Sequence, residues 1–390
     1  MHMQPTFYEF FAGGGMARAG LGPHWNCLFA NDFDATKAEA YRQNWGGDHL
    51  LCADVATVRP SSLPSRADLA WASFPCQDLS LAGDYRGLGE STNSAMTRSG
   101  TFWPFWSLMR ELARCNRAPR LVVLENVSGV LTSNSGRDFA AIATSLMETD
   151  YSFGAVVINA RMFVPQSRPR VFFIAARDEI DIPEYLQTKE PRSTWHPGAL
   201  IKAHSRLPEE AKGKWVWWNL AHPAARNSIF ADLVEEAPSG VSWHTAAETK
   251  RLLSMMSPVN SAKVEHAKKA GRKLVGTVYK RTRFDENGNK IQRAEVRFDD
   301  VAGCLRTPRG GSSRQTILII EGPSVRSRLL STREAARLMG LDDSYRLPSR
   351  YNDAYQLAGD GVCVPVIRHL ASHLLEPLIK AKDVSSSVAA

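Results

Sequence analysis

Short apolar runs alternate with helical spacing through the first half of the chain. "TFYEFFAGGG" reads as a strand that breaks at a glycine turn, and "MARAGLG" begins a helix after it. "WNCLFANDFD" is a second strand ending in acids, followed by helical "ATKAEAYRQNW". "HLLCADV" and "ADLAWASFPCQ" give strands three and four, the fourth ending at Cys76. Beyond a loop, "FWPFWSLMRELARCN" carries helical periodicity, "RLVVLENVSGV" is a buried strand and "RDFAAIATSLMETD" a helix. "FGAVVINARMF" and "RVFFIAAR" are strands again. This alternation predicts an α/β fold: a doubly wound, mostly parallel sheet with helices on both faces. Ligands of such folds sit beyond the carboxyl ends of the strands. The glycines, Asp32, Asp54, Pro75–Cys76 and Glu125–Asn126 fall at such ends, so one crevice is expected to gather them.

The pattern changes after about Arg177. Residues 180–325 are rich in tryptophan, proline and basic side chains and lack the β–α rhythm. Within them "TVYKRTRFDENGNKIQRAEVRF" predicts a hairpin about an Asn-Gly turn. Helical spacing resumes at "STREAARLMGL", where Ser331 or Thr332 is placed to cap against Glu334 or Ala335, and "VPVIRHLASHLLEPLIK" is a last amphipathic helix. The expected organisation is an α/β domain over 1–178 and a smaller, mostly irregular or β domain over 179–325. Helices over 326–382 return to the first domain, and a tail at 383–390 is expected to be disordered.

Composition refines this picture at a few points. The 390 residues suffice for two domains, and a 44% hydrophobic fraction predicts a packed core. There is no run of about 18 apolar residues, and "MHMQPTFYEF" lacks the features of a signal peptide, so a cytoplasmic protein is expected. Six scattered cysteines without a C-x-x-C pair argue against a disulfide framework or a structural zinc site, and no metal is expected. The net charge is +8, yet residues 250–314 hold 16 Lys and Arg against 6 Asp and Glu, a local excess of +10. The rest of the chain is near −2. Such confinement suggests a face for a polyanion such as nucleic acid, the alternative being a solvated basic surface.

"FFAGGGMARAG" departs from a dinucleotide fingerprint, since Arg18 stands where its last glycine belongs, and there is no phosphate-binding lysine motif. The acids point to an adenosine ligand without pyrophosphate. Asp32 ends strand two, where a carboxylate takes ribose hydroxyls, and Asp54 ends strand three, within reach of an adenine amino group. S-adenosylmethionine fits that description; helix capping is the competing role for each acid.

Cys76, Glu125, Arg168 and Arg170 complete the candidate chemistry. A free cysteine is often only a small hydrophobe. Here, however, a thiol, a carboxylate and two guanidiniums lie at strand ends. Cytosine C5 is a poor nucleophile that becomes reactive when a thiolate adds at C6, a carboxyl group serves N3, and cationic donors hold O2.

At this point the chain resembles the DNA (cytosine-5) methyltransferases of bacterial restriction-modification systems. The likeness runs in order through "FFAGGG", "NDFD", "CADV", "FPCQDLS", "LENVSGV", "VPQSRPRVFFIA", "TREAARLMG" and "GDGVCVPVIRHL". It implies that Phe11, Gly13, Gly15, Asp32, Asp54 and Pro75 hold S-adenosylmethionine, with Asp360 replacing the usual asparagine of the last motif. It implies that Cys76 attacks C6, Glu125 engages N3 and the exocyclic amine, and Arg168 and Arg170 steady the base and the loop. Asn126 is expected to hold the cysteine turn, and Gln77 and Ser80 to open a loop that closes over DNA. The variable segment would read the site on double-stranded DNA, with Arg281, Arg283, Arg297, Arg306, Arg309 and Arg314 as candidate contacts. A nucleoid-associated monomer on DNA, paired with a restriction endonuclease, is the expected setting. An RNA cytosine-5 methyltransferase and a catalytically inactive DNA-binding paralogue remain the alternatives.

Overall fold

A computed structural model of the chain describes residues 4–75, 88, 98–306 and 314–384. They form two compact units: 1–159, 169–223 and 362–390 make the first, and 160–168 with 224–361 the second.

The first unit is built on a seven-stranded sheet. In chain order the strands are β1 (Thr6–Phe10), β2 (Asn26–Asp32), β3 (Leu50–Cys52), β4 (Leu69–Ala72), β5 (Leu121–Val127), β6 (Tyr151–Asn159) and β7 (Pro169–Arg177). Their spatial order is β3-β2-β1-β4-β5-β7-β6. The first five are parallel, and β7 runs antiparallel to both β5 and β6. The order reverses between β1 and β4, which opens a crevice at their carboxyl ends. Helices α1 (Met16–Leu21), α2 (Ala35–Trp45), α3 (Phe102–Arg114) and α4 (Arg137–Met147) connect the strands. The apolar residues of β4 and those of β5 from Leu121 to Leu124 are completely buried, as strands covered on both faces require.

Short pairs and turns follow: β8 (Gln187–Thr188), α5 (Gly198–Ser205), α6 (Glu209–Gly213) and β9 (Trp217–Trp218). Their aromatic residues pack on the main sheet: the Trp218 indole donates to the Ile174 carbonyl at 3.2 Å, and the Val216 N–H donates to the Phe153 carbonyl at 2.7 Å. Residues 179–223 therefore belong to the first unit, and the expected boundary at 178 is displaced. At the other end of the chain come α11 (Val364–Leu370) and α12 (Glu376–Lys380). Helix α11 lies directly against α1: a Cβ on Gly20 would meet the Ile367 Cβ at 2.3 Å, so only glycine permits the approach. The start of the expected tail is ordered, because Arg120 binds Asp383 at 2.9 Å and the Val384 N–H donates to Glu179. Residues 385–390 lie outside the described residues.

The second unit holds α7 (Ala246–Ser254), α8 (Pro258–Lys268), a four-stranded antiparallel sheet, α9 (Thr332–Leu338) and α10 (Tyr351–Asp360). The sheet strands β10 (Leu274–Phe284), β11 (Lys290–Arg297), β12 (Thr316–Glu321) and β13 (Ser324–Leu329) run in the order β11-β10-β12-β13. Val278, Ala294, Val296, Leu318 and Ile320 form its core with Leu252 and Val264. Residues 326–361 thus stay with this unit, unlike the expected return at 326. Their anchor is a fully buried fork in which Arg328 donates to both oxygens of Glu334 at 2.6 and 2.8 Å. Glu334 also closes the capping box with Ser331, the cap that the structure selects over Thr332. Removing one member of a buried pair leaves the other charge uncompensated, at a cost of about 3–5 kcal/mol. Glu334→Ala is expected to lower the urea midpoint of the full chain accordingly. A midpoint indistinguishable from wild type would show that water reaches the pair.

Candidate active site and nucleic-acid face

The glycine turn follows β1 with left-handed backbone at Phe11 (φ 54°), Gly13 (φ 55°) and Gly15 (φ 76°). A non-glycine residue rarely adopts this region, so Phe11 marks a strained turn of the kind found at ligand sites. A Cβ at Gly15 would lie 2.4 Å from the Trp45 indole nitrogen, which itself donates to the Gly14 carbonyl at 2.9 Å. Asp32, at the end of β2, is buried and accepts the Gly13 N–H and the Asp34 N–H, each at 2.8 Å. Burial pushes its carboxyl above the usual range, against the pull of Lys37 and those two N–H groups. Asp54 is exposed and accepts the Ala56 N–H at 2.9 Å, so its capping role is realised at the end of β3. The Phe33 ring, directly after Asp32, is 70% exposed. Sequence reasoning missed it; its signal was an aromatic residue immediately after a strand-end acid.

Beneath the turn, Glu9 of β1 is 1% exposed. One of its oxygens accepts the Arg18 main-chain N–H at 3.2 Å and the other has no hydrogen-bond partner. Burial pushes this carboxyl up from 4.5 to about 8, opposed by the Arg18 contacts. The folded protein therefore holds a proton that the unfolded chain releases above 4.5, and stability falls as pH rises from about 4.5 to about 8. Glu9→Gln is expected to melt above the wild type at about pH 8.5 and close to it at about pH 5. An equal difference in Tm at both pH values would mean that Glu9 is ionised in the fold.

On the other side of the switch point, β4 ends at Ala72, short of the expected end at the thiol. Phe74 is buried against Phe102, and Pro75 is half-buried. Cys76, Gln77, Ser80 and Arg309 lie outside the described residues. The Asn126 amide donates to the Phe74 carbonyl at 3.2 Å, and its oxygen accepts the Val127 N–H at 2.8 Å. The end of β5 is thereby tied to the segment two residues before Cys76. Glu125 is buried beside Arg170, with Nε to Oε1 at 3.1 Å. Antiparallel β7 explains the contact: Glu125 pairs with Phe172 and Val127 with Arg170, so the two side chains are diagonal neighbours on one face.

Arg168 belongs to the second unit, is 2% exposed, and donates through Nη2 to the carbonyls of Gly359 at 2.9 Å and Gly361 at 2.7 Å. These two hydrogen bonds brace the end of α10. Asp360, in the same unit, is exposed and accepts from Gln356 at 3.3 Å.

A family model described as C-5 cytosine-specific DNA methylase matches residues 5–376. The chain belongs to this family. Its relatives include type II methyltransferase M.HhaI of Haemophilus parahaemolyticus, 24% identical over 94% of this chain and 93% of that protein. Type II methyltransferase M.HpaII of Haemophilus parainfluenzae is 25% identical over 96% and 90%. In fold the chain is similar to the S. pombe Dnmt2 methyltransferase, with a TM-score of 0.57 and 18% identity over 96% of this chain and 99% of that one. A putative DNA modification methyltransferase encoded within an E. coli prophage gives a TM-score of 0.54 at 14% identity, over 96% and 99%. Members of the family transfer a methyl group from S-adenosylmethionine to C5 of cytosine in DNA.

In this methylase the expected DNA-contacting arginines have distinct surroundings. Arg281 and Arg283 share one carboxylate, Glu295, and Arg297 pairs with Asp299. Arg306 is exposed and lines a groove with Lys263, Arg281 and Arg297. Arg314 differs from the expectation: it donates to the Asn352 side chain and lies over the Tyr351 ring, 5.6 Å from its centroid. Both contacts are made on the first turn of α10.

Proposed function

We propose that this methylase modifies cytosine within a specific duplex DNA site, as the modification partner of a restriction endonuclease, through a covalent Cys76 adduct. The single observation that carries the reading is the buried Glu125–Arg170 pair on β5 and β7, tied through Asn126 to the segment leading into Cys76. A Glu-Arg pair at a strand end has no packing need to be there. It has a chemical one, if an acid must serve N3 of a base that has left the duplex stack.

The residues suit S-adenosylmethionine. The left-handed turn at Phe11–Gly15 keeps side chains out of the crevice, Asp32 has lone pairs beyond those given to two N–H groups, and the exposed Phe33 ring offers an apolar face for adenine. When bound, this cofactor supplies an electrophilic methyl group on a sulfonium sulfur. The thiolate of Cys76 bonds to C6 while Glu125 delivers a proton to N3, and the displaced electron pair gives C5 enamine character. Once C5 carries the methyl group, its proton passes to solvent water, the C6–S electron pair returns to Cys76 as thiolate, and N3 gives its proton back to Glu125. Arg170 keeps Glu125 oriented through this cycle. Pro75 fixes the turn before the thiol. Asp360 remains a proposed cofactor contact, and the protein acts as a monomer in the bacterial cytoplasm.

The test is transfer of a tritiated methyl group to duplex DNA and, separately, to RNA, followed by sequencing of the modified positions. Label confined to cytosine in one short duplex motif is expected. Label on RNA alone, or on cytosines without sequence preference, would overturn the proposal.

A further inference from the structure

The β10–β11 ribbon has two chemically different faces. On one face Val278, Ala294 and Val296 enter the core of the second unit. On the opposite face, Arg281 stands across from Arg293, Tyr279 from Glu295 and Thr277 from Arg297. Glu295 is the one carboxylate of this face between Tyr279 and Arg283. Its Oε2 lies 3.1 Å from Arg281 Nε in an ion pair, and its Oε1 accepts Arg283 Nε at 2.9 Å and Arg283 Nη2. The arginine side chains are 43% and 51% exposed, while that of Glu295 is 30% exposed.

A carboxylate here works against phosphate binding, because it removes one unit of positive charge from the surface. It also adds little to stability, since ion pairs open to water gain little over solvation of the separate charges. Its consistent effect is geometric. Two flexible guanidiniums are held by their Nε sides on one anchor, which itself stands on a packed strand. An arginine held in that way still carries two parallel N–H groups at its Nη1/Nη2 edge. That edge matches O6 and N7 of guanine in the major groove, and a two-stranded ribbon fits that groove.

We propose that Glu295 is a positioning residue for base readout, pinning Arg281 and Arg283 to address guanine. The inference rests on the reading of this methylase as site-specific on duplex DNA. A ribbon that only neutralises phosphate gains nothing from the pin, whereas a base-reading fork gains fixed direction before binding.

The experiment profiles methylation of a random-sequence duplex library by the full-length wild type, E295Q, R281A, R283A and E286Q. E286Q makes the same charge change at the turn of the same ribbon. Salt titration of binding to a duplex lacking the preferred motif accompanies each profile. E295Q is expected to lose discrimination at one or two guanine positions by roughly 5- to 100-fold, the range of one bidentate contact. R281A and R283A should relax the same positions, and E295D should restore part of the preference. E286Q should strengthen non-specific binding much as E295Q does while keeping the wild-type motif. If E295Q keeps that motif while R281A and R283A weaken all sequences evenly and flatten the salt slope by about one each, the arginines touch phosphate and the proposal falls. A preserved motif with unchanged affinity in all the variants would also overturn it, removing the ribbon from the interface. Loss of a sequence motif in the wild type itself would instead sink the site-specific reading beneath it.

Discussion

Cys76→Ala is expected to abolish methyl transfer while leaving the affinity for S-adenosylmethionine nearly intact. Without the thiolate, C5 of cytosine stays part of an electron-poor ring and has no route to enamine character. Apart from Pro75 and Asp360, the residues assigned to the cofactor end or follow other strands, β1 to β3, and none of them binds it through the sulfur. Turnover from the tritiated donor measures the first effect and equilibrium dialysis the second. A variant that keeps a tenth of wild-type turnover would remove Cys76 as nucleophile. Duplexes carrying 5-fluorocytosine give a complementary result: the enzyme should remain attached on a denaturing gel, because elimination requires a C5 proton that fluorine replaces.

Glutamine in place of Glu125 should lower turnover by roughly 10²–10⁴-fold while leaving most of the DNA affinity in place. The amide keeps the shape of the carboxylate and still donates a hydrogen bond, but it cannot carry a proton to N3. Arg170 would then face a neutral group in a site where both side chains are largely buried, at 15% and 8% exposure. Pre-steady-state methylation rates and duplex binding, measured on the same preparation, separate the two contributions. Equal losses in rate and affinity would make Glu125 a structural member of the sheet.

The central sheet was legible because its signals are local. Apolar runs of strand length ending at glycines or acids mark β1 to β5, and the ends of those runs are the mouth of the crevice. Contacts that depend on register were not legible. A two-residue turn at Asn287–Gly288 would set Glu295 opposite Lys280. The actual loop has five residues, 285–289, closed by Asp285, which accepts the N–H groups of Asn287 and Asn289. That slip of one residue turns Glu295 to the face of Arg281 and Arg283 and reverses every side chain on the strand. Arg168 and Arg170 show the same limit. They are two positions apart in one motif, yet only Arg170 lies within β7, so one guanidinium meets Glu125 and the other the carbonyls at the end of α10. The tryptophans of "KWVWWN" lie in the segment expected to form the smaller domain, where they would pack its core, yet Trp218 covers the main sheet of the first unit.

The seating of α11 against Gly20 of α1 has a consequence for the order in which the protein is made. Leu21 and Arg368, whose carbonyl and guanidinium meet at this contact, are 347 residues apart. At about 5–20 residues per second, the ribosome delivers the covering helix roughly 20–70 s after the glycine turn has emerged. Through that interval the nascent chain carries a glycine turn whose following helix lacks the Ile367 and Arg368 contacts at Gly20 and Leu21. Prematurely terminated chains would lack the cover altogether. Methylating capacity therefore waits for α11, and a nascent chain that stops short of it contributes none.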